Sequence, residues 1–419
     1  MKRFMREGSD CTKRHWRKWA AIGLAAVLAV TFAGCGEGAQ ETAGKTAEKN
    51  KKASSILMRD AYVYDDGTSL EELTVLGSGI SRGSIVSATF LDTLKDMPDT
   101  AWDVSWGQDG SVMAWTEEKS GDTYDLFIGA EGGVAAKDCE GLFAGYSNLE
   151  KIEFNHCFDT SQAENMKNMF NGCDKLGQLD VSGFDTGKVT DMSLMFGWCP
   201  RLAQLDVSSF DTGQVTNMRA MFGYCHQLKS LDVTNFNTGR VTDMDMMFYG
   251  CGNLVQLDAG GFDTGKVTDM NSMFCDCENL EQLDVGGFDT SQVTDMRAMF
   301  NNCKKLKSLD VKSFNTSRVT DMGLMFADCE NLEQLDVSGF DTGQVTNMRA
   351  MFGNCKKLAS LDVKNFDTGQ VADMGWMFVD CGNLTQLDVS GFDVSQVEEM
   401  ESMFDGCGVT AEEAGLKTE

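Results

Sequence analysis

The sequence is poor in positive charge, proline and histidine. In 419 residues, 36 Lys and Arg stand against 64 Asp and Glu, a formal net charge of −28, with two prolines and three histidines. The shortage of basic groups excludes electrostatically driven nucleic-acid binding, which needs Lys and Arg to displace phosphate counterions. His15 lies in a predicted leader, so His156 and His226 remain, thin material for acid–base or metal chemistry near neutral pH. No paired catalytic carboxylates, nucleophile–base set or phosphate loop stands above the repeat described below, so neither an enzyme nor a cofactor is expected. Long apolar runs are lacking too. The uncharged stretch Ala20–Gly34 would make a helix of roughly 22 Å, short of the ~30 Å hydrocarbon core. Hydrophobic residues at 42% still permit a folded core.

The basic residues concentrate at the start: Lys2, Arg3, Arg6, Lys13, Arg14, Arg17 and Lys18 precede that apolar stretch. A basic region, a short apolar segment and small residues describe an export signal over residues 1–34. Phe32-Ala33-Gly34-Cys35 resembles the bacterial lipobox, departing from it where Phe32 replaces the favoured Leu. The resemblance implies a lipid on Cys35 and a chain tied to the cell membrane and displayed at the surface. Up to residue 55 the composition reads as a flexible linker.

Cysteines reveal the architecture. Cys173, Cys199, Cys225, Cys251, Cys277, Cys303, Cys329, Cys355, Cys381 and Cys407 are spaced by 26 residues. Around them runs V-T-x-M-x-x-M-F-x-x-C-x-x-L-x-x-L-D-V-x-x-F-D-T, which is the mark of a solenoid. A degenerate first unit carries Tyr146 at the Cys position and one extra residue before Phe158. Residues 139–407 are therefore read as repeats, 56–138 as a β-rich N-terminal cap and 408–419 as a tail. Within one copy, Met192, Met195, Phe196 and Cys199 have the spacing of a helical face, and Asp191 is placed as its N-cap. Leu205 and Val207 alternate with Asp206 as in a short strand. The expected fold is an α/β solenoid of short parallel strands and short helices. The Cys row reads as small buried hydrophobes, because equivalent side chains pointing in parallel have poor disulfide geometry.

The motif resembles the BspA-like leucine-rich-repeat surface proteins and their 26-residue bacterial surface repeat, over nine nearly complete copies. The resemblance implies an exported solenoid that binds macromolecules, in adhesion or by holding an extracellular or host protein. A structural envelope spacer and a surface glycan-binding protein are the alternatives. Membrane contact is expected through the N-terminal lipid, and no nucleic-acid partner is expected.

Stacking places like residues in rows. Asp180, Asp206, Asp232, Asp258 and Asp284 head an acidic row along the strands, where carboxylates ~4.8 Å apart repel unless something offsets them. A hydrogen-bonded ladder, a weak Ca²⁺ strip along Asp180, Asp206 and Asp232, and a ligand-facing acidic surface are the readings. Trp198 and Tyr224 share the position before the Cys, and Tyr249 lies one residue off that row. Other copies place Gly, Asp or Asn there, which reads as exposure, and the aromatics read as a patch that anchors a partner. Glu278, Glu281, Glu330 and Glu333 alternate with Lys304, Lys305, Lys307, Lys356 and Lys357, predicting pairing between coils. In the cap, residues 102–106, 112–115 and 124–128 are expected as strands.

Overall fold

The segment from Asp191 to Cys199 has the apolar spacing of a helix, and the chain folds it as successive turns. In the computed structural model, which describes residues 55–58 and 73–417, Met192, Met195, Phe196 and Cys199 are all fully buried. The Met195 amide donates to the Met192 carbonyl at 3.1 Å and the Gly197 amide to Leu194 at 3.0 Å. Between these turns, the amides of Met192, Leu194, Phe196 and Trp198 donate to Asn217, Arg219, Met221 and Gly223 of the next coil at 2.7 to 3.0 Å. Leu194 and Trp198 are left-handed, with φ of 57° and 51°, which swings alternate peptide planes out along the stack. The short helices expected from the spacing are thus corrected to turns. Among the described residues the one helical element is the 3₁₀ turn Arg82–Ser84. Turns of three and four residues reproduce the i, i+3, i+4, i+7 pattern, and periodicity reports where side chains point, not where amides do. Asp191 keeps its capping chemistry, accepting from the Ser193 amide at 2.8 Å.

This turn ladder is unbroken. Parallel bridges join Asn165 to Asp191, Asp191 to Asn217 and so on to Glu399, so the coils form a repeat solenoid with the 26-residue period. The strand side is less continuous. β9 (Gln178–Leu179) pairs with β10 (Gln204–Leu205), β11 (Gln256–Asp258) with β12 (Gln282–Asp284) and β13 (Ser308–Leu309) with β14 (Gln334–Leu335), each in parallel register. The parallel strands are present as expected, but they join neighbouring coils in twos.

Buried side chains tie the coils together inside. The Phe row from Phe143 to Phe378 stacks at 5.7 to 5.8 Å. Each cysteine of the 26-residue row from Cys173 to Cys381 points its thiol at the Phe carbonyl of the preceding coil, as Cys225 does to Phe196 at 3.1 Å. Burial pushes the thiols of Cys251, Cys329 and Cys381 up to about 12, so they stay protonated and able to donate. Among the described cysteines no disulfide is formed. Buried threonines add a side-chain rung. Thr316 Oγ1 donates to the Asp341 carbonyl at 2.8 Å and accepts from the Asp341 amide at 2.8 Å.

At the N-terminal end a mixed sheet has the order β3-β4-β5-β2-β7, formed by β2 (Ile85–Leu91), β3 (Trp102–Asp103), β4 (Met113–Ser120), β5 (Thr123–Gly129) and β7 (Lys151–Glu153). The three expected strands are β3, β4 and β5. β2, absent from the expectation, lies between β5 and β7 and pairs in parallel with β7 of the degenerate first coil. A second small parallel sheet joins β1 (Ser55–Ile56), β6 (Val134–Ala135) and β8 (Phe158–Asp159). Arg82 is fully buried here. Its guanidinium donates to the Gly141 and Ala144 carbonyls at 2.8 and 2.7 Å, and a cation suits carbonyl-rich ends of aligned peptides. At the other end the tail folds back, and the Val389 amide donates to the Ala414 carbonyl at 2.9 Å. Among the described residues no helix is long and apolar enough to cross a membrane. The predicted leader, Cys35 and the linker through residue 54 lie outside the described residues.

Candidate binding surface

The position before each Cys is left-handed in copy after copy: φ is 51° at Trp198, 62° at Tyr224, 69° at Gly250, 61° at Asp276 and Asn302, 59° at Asp328 and 63° at Asn354. Gly, Asn and Asp are the residues that tolerate this conformation. Their recurrence therefore reflects backbone geometry, and the reading of the row as exposed is corrected. Asn354 is buried, while Asp276, Asn302 and Asp328 are half-buried. Asp276 and Asn302 join across coils at 2.6 Å, and Asp328 and Asn354 at 2.5 Å.

Trp198 and Tyr224 are exceptions in that row. A bulky side chain in the left-handed region costs roughly 1–2 kcal/mol. The two rings stack at 6.2 Å with 20° between planes, and Tyr224 is 43% exposed. His226, which sequence reasoning left unassigned, lies 6.4 Å from Tyr224 at 30°. Two glycines make room for these rings. A Cβ at Gly250 would meet Tyr224 Cδ2 at 2.8 Å, and one at Gly252 would meet His226 at 2.7 Å. The Tyr-Cys-His order beside Gly-Cys-Gly one period later was the available signal. Tyr249 is half-buried; its hydroxyl hydrogen-bonds the Asp276 carboxylate, so it supports the neighbouring coil and does not extend the stack.

The strand carboxylates are held by local turns. Asp180, Asp206 and Asp232 accept through Oδ1 from the amides of Ser182, Ser208 and Thr234 at 2.9 to 3.0 Å. Asp258 and Asp284 accept likewise from Gly260 and Gly286 at 3.2 and 2.9 Å. Hydrogen bonds from Ser182, Ser208 and Thr234 hold the first three carboxyls below the usual range. Among the described residues no group of three or more His, Cys, Asp or Glu is arranged to hold a metal ion. The predicted charge pairing between coils is present: Lys304 meets Glu278 and Lys356 meets Glu330 at 2.9 Å. These pairs lie at the solvent boundary and contribute little.

Among the described carboxylates, Asp159 and Asp245 are buried. Asp245, 3% exposed, pairs with Arg219. Burial pushes its carboxyl up to about 7; Arg219 opposes that rise, and Asp269 and Asp243 add to it.

Three overlapping stretches, residues 137–256, 225–335 and 329–414, match the family described as Mycoplasma protein of unknown function, DUF285. No curated protein matches. Among solved structures, a leucine-rich repeat protein from Eubacterium ventriosum is similar at 14% identity over 66% of this chain, with a TM-score of 0.31. The plant peptide hormone receptor RGFR1 in complex with RGF2 is similar at 14% over 65%, with a TM-score of 0.25. TLR13 in complex with ssRNA13 is similar at 14% over 66%, also with 0.25. The matched part spans 59%, 44% and 44% of those chains.

Proposed function

This chain belongs to the DUF285 family, and on that premise we propose that it is a binding protein rather than an enzyme. In this reading it is an exported surface protein of the BspA-like, leucine-rich-repeat kind, anchored by a lipid on Cys35, and its solenoid holds an extracellular or host protein in adhesion. The observation that supports the reading is the seated aromatic group. Trp198 and Tyr224 occupy left-handed positions that Gly, Asp or Asn fill in other coils, and glycines of the next coil clear space for Tyr224 and His226. Strain retained where an easier residue is at hand points to use, and exposed, stacked aromatics are the residues that dominate binding energy.

Binding of the purified protein to panels of matrix proteins and glycans tests this. Asn suits the left-handed backbone, so Trp198→Asn and Tyr224→Asn keep the coil folded. Each is expected to weaken a saturable protein ligand by about 30-fold, the loss of ~2 kcal/mol typical of a central aromatic. Saturation by glycans alone would change the partner to a glycan. No saturable ligand in either panel would favour the spacer. For the anchor, Cys35→Ser is expected to move the protein from the membrane fraction to the soluble one; unchanged sedimentation would refute lipidation.

A further inference from the structure

The first coil breaks the period, and the break opens a pocket. Its extra residue is taken up at Asn155 and His156, two successive left-handed residues with φ of 50° and 56°. The Asn155 side-chain amide donates to the Phe90 carbonyl at 3.1 Å, tying the bulge to the cap. In the same stretch β7 pairs with β2 of the cap sheet, whereas the next strand, β9, pairs forward with β10. The gap left between the first two coils is a cavity of about 270 Å³. Phe154, Phe158 and Phe184 line its apolar side, with ring centroids 5.1 to 6.0 Å apart. Glu153, His156 and Asp180 stand at its polar side.

We propose that this pocket binds a small organic cation: a primary ammonium or guanidinium on a short apolar or aromatic stem. Three features select that class. Aromatic faces attract a cation through their quadrupole. Glu153 already pairs with Lys151 at 2.5 Å, which leaves Asp180 as the anion that chooses the ligand. Asp180 commits Oδ1 to the Ser182 amide and hydroxyl at 3.0 and 2.6 Å, so Oδ2 is the oxygen presented to a ligand. Those bonds also keep the carboxyl ionised. An anion would meet Asp180 and a chain carrying 28 excess negative charges, which repel it and draw cations in. The volume lies near the lower end of ligand pockets, so a stem of one ring or a few methylenes fills it.

The site is separate from the aromatic row, and neither reading depends on the other. Phenethylamine, phenethyl alcohol and hydrocinnamate, titrated into the whole protein and followed by amide chemical shifts, test it. The amine is expected to saturate with a millimolar dissociation constant, as befits so small a ligand. It should bind about tenfold more tightly than the alcohol, from one ion pair and a cation–π contact. Asp180→Asn should reduce that preference to its cation–π part, Phe154→Leu should weaken the amine, and Asp206→Asn, the same row position one coil on, should leave it unchanged. Equal binding of amine and alcohol, absence of saturation, or a preference undiminished by Asp180→Asn would overturn the proposal.

Discussion

The two walls of each coil bury similar residues and are joined in different ways. On the methionine wall, alternate amides donate to the next coil from Asn165 onwards without a gap. On the strand wall, pairing runs for two or three residues and links coils in twos. The difference follows from where local side chains send the amides. In the strand, each Asp draws the amide two residues on into its own carboxylate, as Asp206 does with Ser208 at 2.9 Å, and that closes the strand early. On the methionine wall the left-handed residues turn the peptides along the stack. Apolar spacing is thus the same language for two architectures, and backbone direction decides between them.

The largest expected effect breaks the stronger wall. Phe274, fully buried between Phe248 and Phe300 at 5.7 Å, should lose about 3–5 kcal/mol as Phe274→Ala. Leu283, on the strand wall of the same coil and partly exposed, should lose about 1–2 kcal/mol as Leu283→Ala. Urea denaturation measures both, and equal losses would remove the distinction between the walls. Next, Thr316→Val keeps the shape of a residue 1% exposed but strips the Asp341 amide and carbonyl of their shared partner. A loss of about 2–3 kcal/mol is expected; a neutral change would show that the threonine rung carries no weight.

Asp245 gives a pH-dependent comparison within the methionine wall. Its carboxyl is raised from 3.8 to about 7, so the folded state disfavours the ionised form. Its contribution is therefore most favourable below the unfolded value, declines as pH rises from about 4 to about 7, and is level above that. Asp245→Asn should consequently be more stable than the parent at pH 8, by on the order of 2 kcal/mol, and lose that advantage near pH 4. Thermal melts at the two pH values read the difference, and a pH-independent gap would contradict it.

The smallest effect is the sharpest on geometry. In a helix, Ala350→Gly costs about 1 kcal/mol. With Ala350 at φ 50°, glycine is expected to be neutral or slightly stabilising, because the left-handed strain it removes offsets its extra entropy.

Much of this was legible in the residues. The Cys spacing fixes the period, Met192 through Cys199 fixes the inward face, and the Glu–Lys alternation predicts the pairing across coils. Asp191 was placed correctly as an amide acceptor because an Asx turn and a helix N-cap ask for the same oxygen. What failed did so where one composition serves two causes. Asp276 and Asn302 mark a left-handed backbone as readily as an exposed surface, and the i, i+3, i+4 pattern fits turns as well as a helix. β2 was missed because its partners, β5 and β7, lie far along the chain. The extra residue before Phe158 was visible, but the cavity it opens depends on how β7 turns into the cap sheet. His226 joins the aromatic group through the seats that Gly250 and Gly252 provide one coil later.

Through-hydrogen-bond NMR couplings in a perdeuterated sample test the turn ladder most directly. The Trp198 amide nitrogen should couple to the carbonyl carbon of Gly223 in the next coil, to which it donates at 2.7 Å. A coupling from Trp198 to the Leu194 carbonyl, the partner four residues back in a helix, would contradict the account.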